Sequence, residues 1–214
     1  MNIYSVLLLL LAPFLLFGQE IVSPTEFLGE TYGTEFTPHH KLVEYFKELD
    51  KASDQLTLEQ YGETNEGRPL YLAFLSSKSN LEQIESIRKT NLCNAGLITE
   101  KPDVLIEKSI LWLSYSVHGN EAGGSEASMN VLYQLLKDNS KESWLDEAVV
   151  IIDPSLNPDG YERYTHWHRG IRGIDVHPQL MDVEHMEPWP GGRVNHYLFD
   201  LNRDWAWQTQ VESK

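Results

Sequence analysis

The stretch that decides the fold begins with the apolar segment ILWLSYSV at residues 110–117 and ends with AVVII at residues 148–152. Between them, after a short polar loop, apolar side chains recur at helical spacing from Ser125 to Lys137. A strand, a helix and a second strand in this order predict a βαβ unit. Its two strands are expected to be parallel neighbours in one sheet.

The residues before this unit predict two more helices and two more strands. The predicted elements are a helix at 38–51, strands at 56–61 and 70–75, and a helix at 80–92. Thr37 is expected to be the N-cap of the first helix, with Pro38 as its first residue. The two strands flank a long polar turn and predict a hairpin. The predicted fold class is α/β, with a mixed, largely parallel sheet flanked by helices.

Residues 153–199 are rich in Pro, Gly, His and Trp and show no convincing periodicity. The sequence therefore predicts no regular structure in this stretch. Long irregular segments in compact domains are usually functional. Within it, residues 173–199 are expected to form an elongated loop beside a ligand cleft.

The N-terminus predicts export. Residues 6–17 are apolar, and the first charged residue is Glu20. A membrane span needs about 20 residues, so this run is too short for one. It is typical of a signal peptide. We predict a signal peptide at 1–18, a lead-in segment at 19–36 and one domain at 37–214. The protein is then secreted or periplasmic, without a membrane span after leader removal. An uncleaved N-terminal anchor is the alternative, because no Lys or Arg precedes the apolar run.

Acidic residues exceed basic residues by 15 in this chain of 214 residues. Nucleic acids are bound through basic patches that neutralise phosphates, so we expect no nucleic-acid partner. The single cysteine, Cys93, cannot form a disulfide within the chain. An exported chain of this composition depends on its apolar core, or on a metal, for stability.

A histidine and a glutamate directly follow the first strand of the βαβ unit, in the HGNE turn formed by His118, Gly119, Asn120 and Glu121. Ligands of open α/β sheets bind beyond the carboxyl ends of the strands, where this turn lies. One imidazole and one carboxylate can bind the same cation, and catalytic zinc sites use such ligands while leaving one coordination position for water. The alternative is that His118 caps the loop and Glu121 favours the N-terminus of the next helix.

Two further groups of polar residues follow. The NPDG motif at 157–160 stands just after the second strand and, taken alone, is typical of a turn. Arg169, Arg172 and the segment DLNRD at 200–204 supply guanidinium groups that can bind a carboxylate or stabilise an oxyanion. Exposed arginines on an acidic protein are also commonly solvated partners of surplus acids.

The order of these motifs resembles the zinc carboxypeptidase family, which has an α/β fold. The matching segments are the HxxE pair at 118–121, the NPDG motif at 157–160, the Asn-Arg pair at 202–203 and the EGRPL turn at 66–70. The resemblance covers residues 37–207. It implies a secreted zinc-dependent metallocarboxypeptidase that hydrolyses peptide bonds near the C-terminus of a peptide or protein substrate.

The resemblance also implies a role for each candidate site residue. His118 and Glu121 are implied to be two of the three protein ligands of one Zn²⁺ ion. Arg172 lies 15 residues beyond the start of the NPDG motif. It is implied to be the catalytic arginine that polarises the scissile carbonyl and stabilises its oxyanion. Asn202 and Arg203 are implied to bind the terminal carboxylate of the substrate.

Two parts of the family's site are missing from the sequence. The resemblance puts the third ligand, a histidine, and then the general-base glutamate after the Asn-Arg pair, and only eleven residues follow Arg203. We therefore expect the third ligand beyond Lys214, and we expect this chain to be truncated at its C-terminus and inactive as written. A substitute ligand from the irregular stretch is the alternative; the candidates are His166, His168, His177, His185 and His196.

Three functional alternatives remain open at this point. If Asp204 pairs with the adjacent Arg203, binding of a terminal carboxylate is weakened, and an endopeptidase or amidase is favoured. A zinc-dependent N-acyl amino acid deacylase of the same superfamily would share the HGNE and DLNR segments but lack the NPDG motif. A non-catalytic peptide-binding module would keep the cleft and lack the metal.

Overall fold

The computed structural model describes residues 20–137, 142–175 and 177–214, so the predicted signal peptide lies outside the described residues. No helix in these ranges is long and apolar enough to span a membrane. The helices in these ranges are α1 (Pro24–Leu28), α2 (His39–Ala52), α3 (Lys78–Glu82), α4 (Ile84–Asn94), α5 (Gly123–Lys137), α6 (Glu142–Glu147) and α7 (Pro158–Ile171). The strands are β1 (Leu56–Glu63), β2 (Pro69–Leu75), β3 (Ser109–Ser114) and β4 (Ala148–Asp153).

The four strands form one sheet in the order β1–β2–β4–β3. β1 and β2 are the antiparallel strands of the predicted hairpin, with a bulge between Gln60 and Gly62. β4 pairs antiparallel with β2 and parallel with β3, which completes the predicted βαβ unit around α5. The α/β class and the mixed sheet are confirmed. Only one of the three pairings among the described strands is parallel, because the hairpin supplies the antiparallel side of the sheet.

Helices cover both faces of the sheet. On one face α2 and α5 share an apolar cluster with the strands, in which Leu132 and Ile152 are fully buried. On the other face Ile87 of α4 packs against Val149 and Ile151. β4 is therefore buried along its whole length, as expected for a strand that is covered on both faces.

β3 lies at the edge of the described sheet. Its apolar residues Ile110, Leu111 and Trp112 are 39%, 45% and 57% exposed. The strand ends at Ser114, three residues before the predicted end. The reason is local, because Ser116 has a φ of 46° and takes the chain out of the extended conformation.

The stretch 153–199, predicted to be irregular, contains the 14-residue helix α7. Its first turn is the NPDG motif, in which the Asn157 side chain accepts a hydrogen bond from Gly160 N at 3.0 Å. The motif was predicted to be an isolated turn, but it is the start of a helix, because Asn is at the N-cap and Pro is at the first helical position. Among the described residues that follow α7 in this stretch, 172–175 and 177–199, the regular structure is a short 3-10 helix at Val183–His185.

The start of α2 also differs from the prediction. The helix begins at His39, and Pro38 occupies the N-cap position. The Thr37 hydroxyl does not cap the helix; it donates to Glu126 Oε2 at 3.0 Å. Thr37 therefore joins the start of α2 to α5.

Candidate metal centre

The loops that follow β3 and β4 are tied together by main-chain hydrogen bonds. Tyr115 N donates to the Asp153 carbonyl, and Leu156 N donates to the Tyr115 carbonyl, both at 3.0 Å. Asn157 N donates to the Ser116 carbonyl at 3.2 Å. The HGNE turn and the first turn of α7 therefore lie side by side at the carboxyl ends of two parallel strands, where α/β sheets bind ligands.

Ser116 directs the chain from β3 into the HGNE turn. Its positive φ is unusual for a residue with a side chain. Its hydroxyl donates to the Glu121 carbonyl at 3.2 Å and lies 2.8 Å from the Ser125 hydroxyl. Ser125 in turn donates to the Pro154 carbonyl at 2.8 Å. Buried hydroxyl groups thus hold a strained backbone at the point where the site begins.

His118 lies between two carboxylates and its side chain is only 7% exposed. Nδ1 is 2.9 Å from Glu121 Oε1, and Nε2 is 3.1 Å from Asp200 Oδ1. A proton held on Nε2 by Asp200 leaves the lone pair of Nδ1 directed toward the Glu121 carboxylate. A carboxylate behind a histidine is a common support of metal-binding imidazoles, because it fixes the ring and raises its basicity.

The donor set at this turn is suited to zinc. An imidazole nitrogen and a carboxylate oxygen converge there, and zinc accepts both. The Glu121 side chain is 62% exposed, so a substrate can approach it. Within the described ranges no group of three His, Cys, Asp or Glu side chains could hold a metal ion. The described residues therefore fit zinc as a pair of ligands and do not complete its usual four-coordinate site.

Arg193 lies beside the nitrogen of His118 that faces Glu121. Its Nη1 is 3.4 Å from His118 Nδ1, and its Nε and Nη2 are 3.2 and 2.9 Å from Asp200 Oδ2. Burial alone would raise the pKa of the Asp200 carboxyl, but hydrogen bonds from Arg193 and His118 outweigh it and lower that pKa. We call His118, Glu121, Arg193 and Asp200 the site cluster.

Three glycines let three segments of backbone touch beside the site cluster. A Cβ on Gly119 would overlap the main chain of Gly160, and a Cβ on Gly160 would overlap the carbonyl of Gly192. A Cβ on Gly192 would come within 2.7 Å of the Tyr164 Cβ. Only glycine permits such close approach of backbones. The contact brings Arg193, which follows Gly192, next to the HGNE turn.

Side chains of α7 and of its N-cap residue hold the loop that carries Arg193. Asn157 Nδ2 donates to the Arg193 carbonyl at 3.2 Å. Arg163 Nη1 donates to the carbonyls of Gly191 at 2.8 Å and Val194 at 3.3 Å. These hydrogen bonds hold the main chain on both sides of Arg193. They leave the Arg193 guanidinium free to contact His118 and Asp200.

The EGRPL turn between β1 and β2 supports the same region. Oδ1 of the buried Asp159 accepts hydrogen bonds from Thr64 Oγ1 and Arg68 Nη1, both at 2.7 Å. Glu66 Oε1 lies 3.0 Å from His196 Nδ1. The turn therefore braces both the start of α7 and the loop that follows Arg193.

Arg172 lies away from the site cluster. It follows the last residue of α7, and a helix of 14 residues is about 21 Å long at 1.5 Å per residue. Its guanidinium donates to the Thr34 carbonyl at 2.8 Å and pairs with the Glu35 carboxylate. The structure thus joins Arg172 to the lead-in segment, at the opposite end of α7 from the NPDG motif.

Asn202 and Arg203 lie on a 3-10 helix (Leu201–Arg203) that begins directly after Asp200, and both are exposed. Asp200 caps this helix, since its Oδ1 accepts a hydrogen bond from Asn202 N at 3.1 Å. One carboxylate therefore orients His118 and also anchors the segment that presents Asn202 and Arg203.

The pairing of Asp204 with Arg203 that the sequence suggested is not formed. Asp204 is buried and accepts hydrogen bonds from Thr209 N at 2.9 Å, Gln210 N at 2.8 Å and the Ser213 hydroxyl. Burial would raise its pKa, but these hydrogen bonds outweigh it and lower the pKa to about 2. The Asp204 carboxylate therefore stabilises the following turn.

The five histidines considered as substitute ligands have other surroundings. His168 meets the ring of Phe36 edge-on, and His177 pairs with Asp182. His185 bonds to the His177 carbonyl, His196 pairs with Glu66, and His166 is exposed on α7. In the part of the chain that the structure describes, none of them completes a group of three metal-binding side chains around His118.

Asp200 and Arg193 received no role from the sequence pattern. A signal for Arg193 was the Gly191-Gly192 pair before it, which is typical of close backbone approach. A signal for Asp200 was its position two residues before Asn202, in the segment that resembled the family. Neither signal identifies His118 as the partner, because the contacts span 75 and 82 residues of sequence.

The sequence model of zinc carboxypeptidases matches residues 42–214 of the chain. Among solved structures, the chain is similar to a putative carboxypeptidase A from Shewanella denitrificans OS-217, with 18% identity over 86% of this chain and 34% of that chain, at a TM-score of 0.49. It is similar to carboxypeptidase A from Helicoverpa armigera, with 21% identity over 59% of this chain and 25% of that chain, at a TM-score of 0.44.

A third similar structure is bovine thrombin-activatable fibrinolysis inhibitor in complex with tick carboxypeptidase inhibitor. The identity is 13% over 84% of this chain and 53% of that chain, with a TM-score of 0.49. The chain spans between a quarter and about half of the length of these three structures.

Proposed function

The chain belongs to the zinc carboxypeptidase family, and from this premise we propose that it carries the metal-binding part of a secreted zinc-dependent peptidase. The proposed reaction is hydrolysis of a peptide bond near the C-terminus of a peptide or protein. The observation that carries the proposal is the arrangement of His118, with Glu121 at Nδ1 and Asp200 at Nε2.

His118 Nδ1 and the Glu121 carboxylate would hold a single Zn²⁺ ion. On the strength of the family resemblance, its third protein ligand is proposed to be a histidine beyond Lys214. When bound, the metal supplies Lewis acidity that polarises a carbonyl and acidifies water. Asp200 keeps the His118 ring in the orientation and tautomer that bind a cation through Nδ1.

We assign to Arg193 the role of stabilising the negative charge that develops on the scissile carbonyl oxygen. Its guanidinium is 3.4 Å from His118 Nδ1, and 46% of the side chain is exposed. A preorganised cation is worth most where charge develops in the transition state. Arg172, to which the family spacing gives this role, is the competing candidate. Its pairing with Glu35 at the far end of α7 argues against it.

Asn202 and Arg203 are proposed to bind the terminal carboxylate of the substrate. Both side chains are exposed beside Asp200, and a guanidinium can bind a carboxylate through two parallel hydrogen bonds. Asp204 is engaged by the turn at 209–213 and does not neutralise Arg203. This supports an exopeptidase over an endopeptidase or amidase.

Export is part of the proposal. Its support is the signal-peptide pattern of residues 1–18. Sequencing the N-terminus of the protein from its source would test it, because a protein that begins near Gln19 has lost the leader. A protein that keeps Met1 would contradict cleavage.

The test of function is zinc content and peptide hydrolysis, measured on the full-length protein purified from its source. We expect one zinc per molecule and hydrolysis of peptides with a free C-terminal carboxylate. EDTA should abolish the activity and added zinc should restore it. Glu121→Ala should lose the metal because it removes a ligand, whereas Glu30→Ala, an exposed glutamate of the lead-in segment, should keep it. Stoichiometric zinc in Glu121→Ala would show that the metal binds elsewhere.

The same experiment separates the alternatives. Hydrolysis of N-acyl amino acids without hydrolysis of peptides would identify a deacylase. Peptide binding that is unaffected by chelator, without any hydrolysis, would identify a non-catalytic binding module.

A further inference from the structure

We propose that Glu187 is a positioning residue that fixes the spacing between Glu121 and Arg193. The proposal rests on the proposed function, since it concerns the geometry of the same site. Glu187 belongs to the long loop after α7, for which the sequence predicted only a place beside the cleft.

The two carboxylate oxygens of Glu187 bond to two different segments. Oε2 accepts a hydrogen bond from Asn120 Nδ2 at 2.9 Å, and Oε1 accepts one from the main-chain N–H of Gly192. Asn120 directly precedes Glu121, and Gly192 directly precedes Arg193. One half-buried carboxylate therefore links the residues next to a proposed metal ligand and next to the proposed oxyanion-binding arginine.

The packing around Glu187 leaves this link little freedom. A Cβ on Gly191 would come within 3.1–3.2 Å of the Glu187 carboxylate, and a Cβ on Gly192 within 3.2 Å of Asn120 N. The glycines let the loop close over the carboxylate. Hydrogen bonds that a carboxylate accepts are stronger than those between neutral groups, so the Glu187 bridge is well suited to holding two loops together.

The opposite side of the loop is held by a different set of contacts. Arg163 of α7 bonds to the carbonyls of Gly191 and Val194, and Asn157 at the N-cap of α7 bonds to the carbonyl of Arg193. These bonds fix the loop to α7 and do not involve the HGNE turn. Loss of Glu187 should therefore leave the loop attached to the helix while it releases the contact with Asn120.

The test exchanges the hydrogen-bonding roles of Asn120 and Glu187, so that the amide and the carboxylate change places. Asn120→Asp would face the Glu187 carboxylate with a second carboxylate, which is repulsive. In the double variant Asn120→Asp/Glu187→Gln, the glutamine amide can donate to the new carboxylate and accept from Gly192 N, so the bridge is restored. Glu187→Gln alone keeps both bonds if the Asn120 amide turns over. Glu184→Ala is the matched control, since Glu184 accepts from His177 N within the same loop.

Two readouts are measured on the full-length protein at pH 8. The first is zinc affinity by chelator competition, together with kcat and KM for a peptide. Glu187→Ala and Asn120→Asp should each lose about 10- to 100-fold in zinc affinity, the usual cost of removing an outer partner of a metal site. Both should lower kcat more than they raise KM. Glu187→Gln, the double variant and Glu184→Ala should stay within about threefold of the wild type in zinc affinity, well inside that loss.

The second readout is the urea concentration at the midpoint of unfolding of the metal-free protein. Asn120→Asp should lower this midpoint, and the double variant should restore it. This readout is independent of zinc. If the wild type binds no zinc, the proposed function fails, while recovery or non-recovery of the midpoint still decides the link between Asn120 and Glu187. The proposal is overturned if the double variant does not recover. It is also overturned if Glu187→Ala keeps wild-type zinc affinity and kcat.

Discussion

Nε2 of His118 lies 3.1 Å from Oδ1 of Asp200, although 82 residues separate them in the chain. The other oxygen of Asp200 is held by Arg193 at 2.9 Å, so the carboxylate cannot turn away from the ring without breaking that pair. An imidazole oriented through Nε2 offers Nδ1 to a metal. Asp200 should therefore control how tightly the HGNE turn binds zinc.

Asp200→Ala should weaken zinc binding by about 10- to 100-fold, because His118 loses the group that fixes its ring and tautomer. Asp200→Asn should cost less, because the amide oxygen still accepts from Nε2. Chelator competition measures both affinities. Asp54→Ala, at an exposed carboxylate that pairs only with Lys78 among the ion pairs described, is the control. Unchanged affinity in Asp200→Ala would show that the contact does not support a metal ligand.

Arg193→Ala should lower kcat by about 10²-fold, the typical loss of one oxyanion-stabilising donor. Arg193→Lys should be intermediate, because it keeps the charge without the guanidinium fork. Arg172→Ala is the matched variant and should retain most of kcat, since Arg172 pairs with Glu35. Steady-state kinetics of the full-length protein on a peptide substrate distinguishes the two arginines. A large loss in Arg172→Ala together with a normal Arg193→Ala would return the role to Arg172.

Gly160→Ala should destabilise the protein by about 1–3 kcal/mol or more, because the added Cβ would overlap the Gly192 carbonyl. Gly170→Ala lies in the same helix with nothing within 4 Å of the added Cβ. It should stabilise by about 0.5–1 kcal/mol, the usual gain of Ala over Gly inside a helix. Urea unfolding of both variants measures the difference. Similar stabilities would mean that the backbones of the HGNE turn, α7 and the Gly192 loop do not touch.

Asp153 should make the protein less stable as the pH rises. Burial raises the pKa of this carboxyl from 3.8 to about 7, against the hydrogen bonds from Ser114 and Ser155. Between these values the unfolded chain releases the proton while the folded protein keeps it, so the free energy of unfolding falls from about pH 4 to about pH 7. At about 1.4 kcal/mol per pKa unit, the loss is at most about 4 kcal/mol.

Asp153→Asn should remove this pH dependence, because the amide is neutral at every pH and can keep both hydrogen bonds. Urea unfolding at pH 4.5 and pH 8 measures it. The variant should match the wild type at the lower pH and exceed its stability at the higher pH. Equal stability of the two proteins at pH 8 would mean that Asp153 ionises in the folded state at little cost.

Local pattern alone was enough to predict most of the regular structure. The hairpin, the βαβ unit and α2 follow from apolar periods of two or 3.6 residues, which each segment carries in itself. α7 was missed because its buried face is built from Pro158, Asp159, Gly160, Tyr161 and Thr165, which give no apolar period. The sequence also singled out the HGNE turn, since a strand end followed by His and Glu needs no distant partner to be noticed.

Which charged groups reach His118 was decided by the tertiary structure. The 15 residues from Asn157 to Arg172 are almost all in α7. Arg172 therefore lies a helix length away from the HGNE turn. Arg193 and Asp200 reach His118 instead, because Gly119, Gly160 and Gly192 let three backbones meet. The number of residues between two side chains does not determine how far apart they lie in space. Here the packing of α7 against the HGNE turn determines which arginine reaches His118.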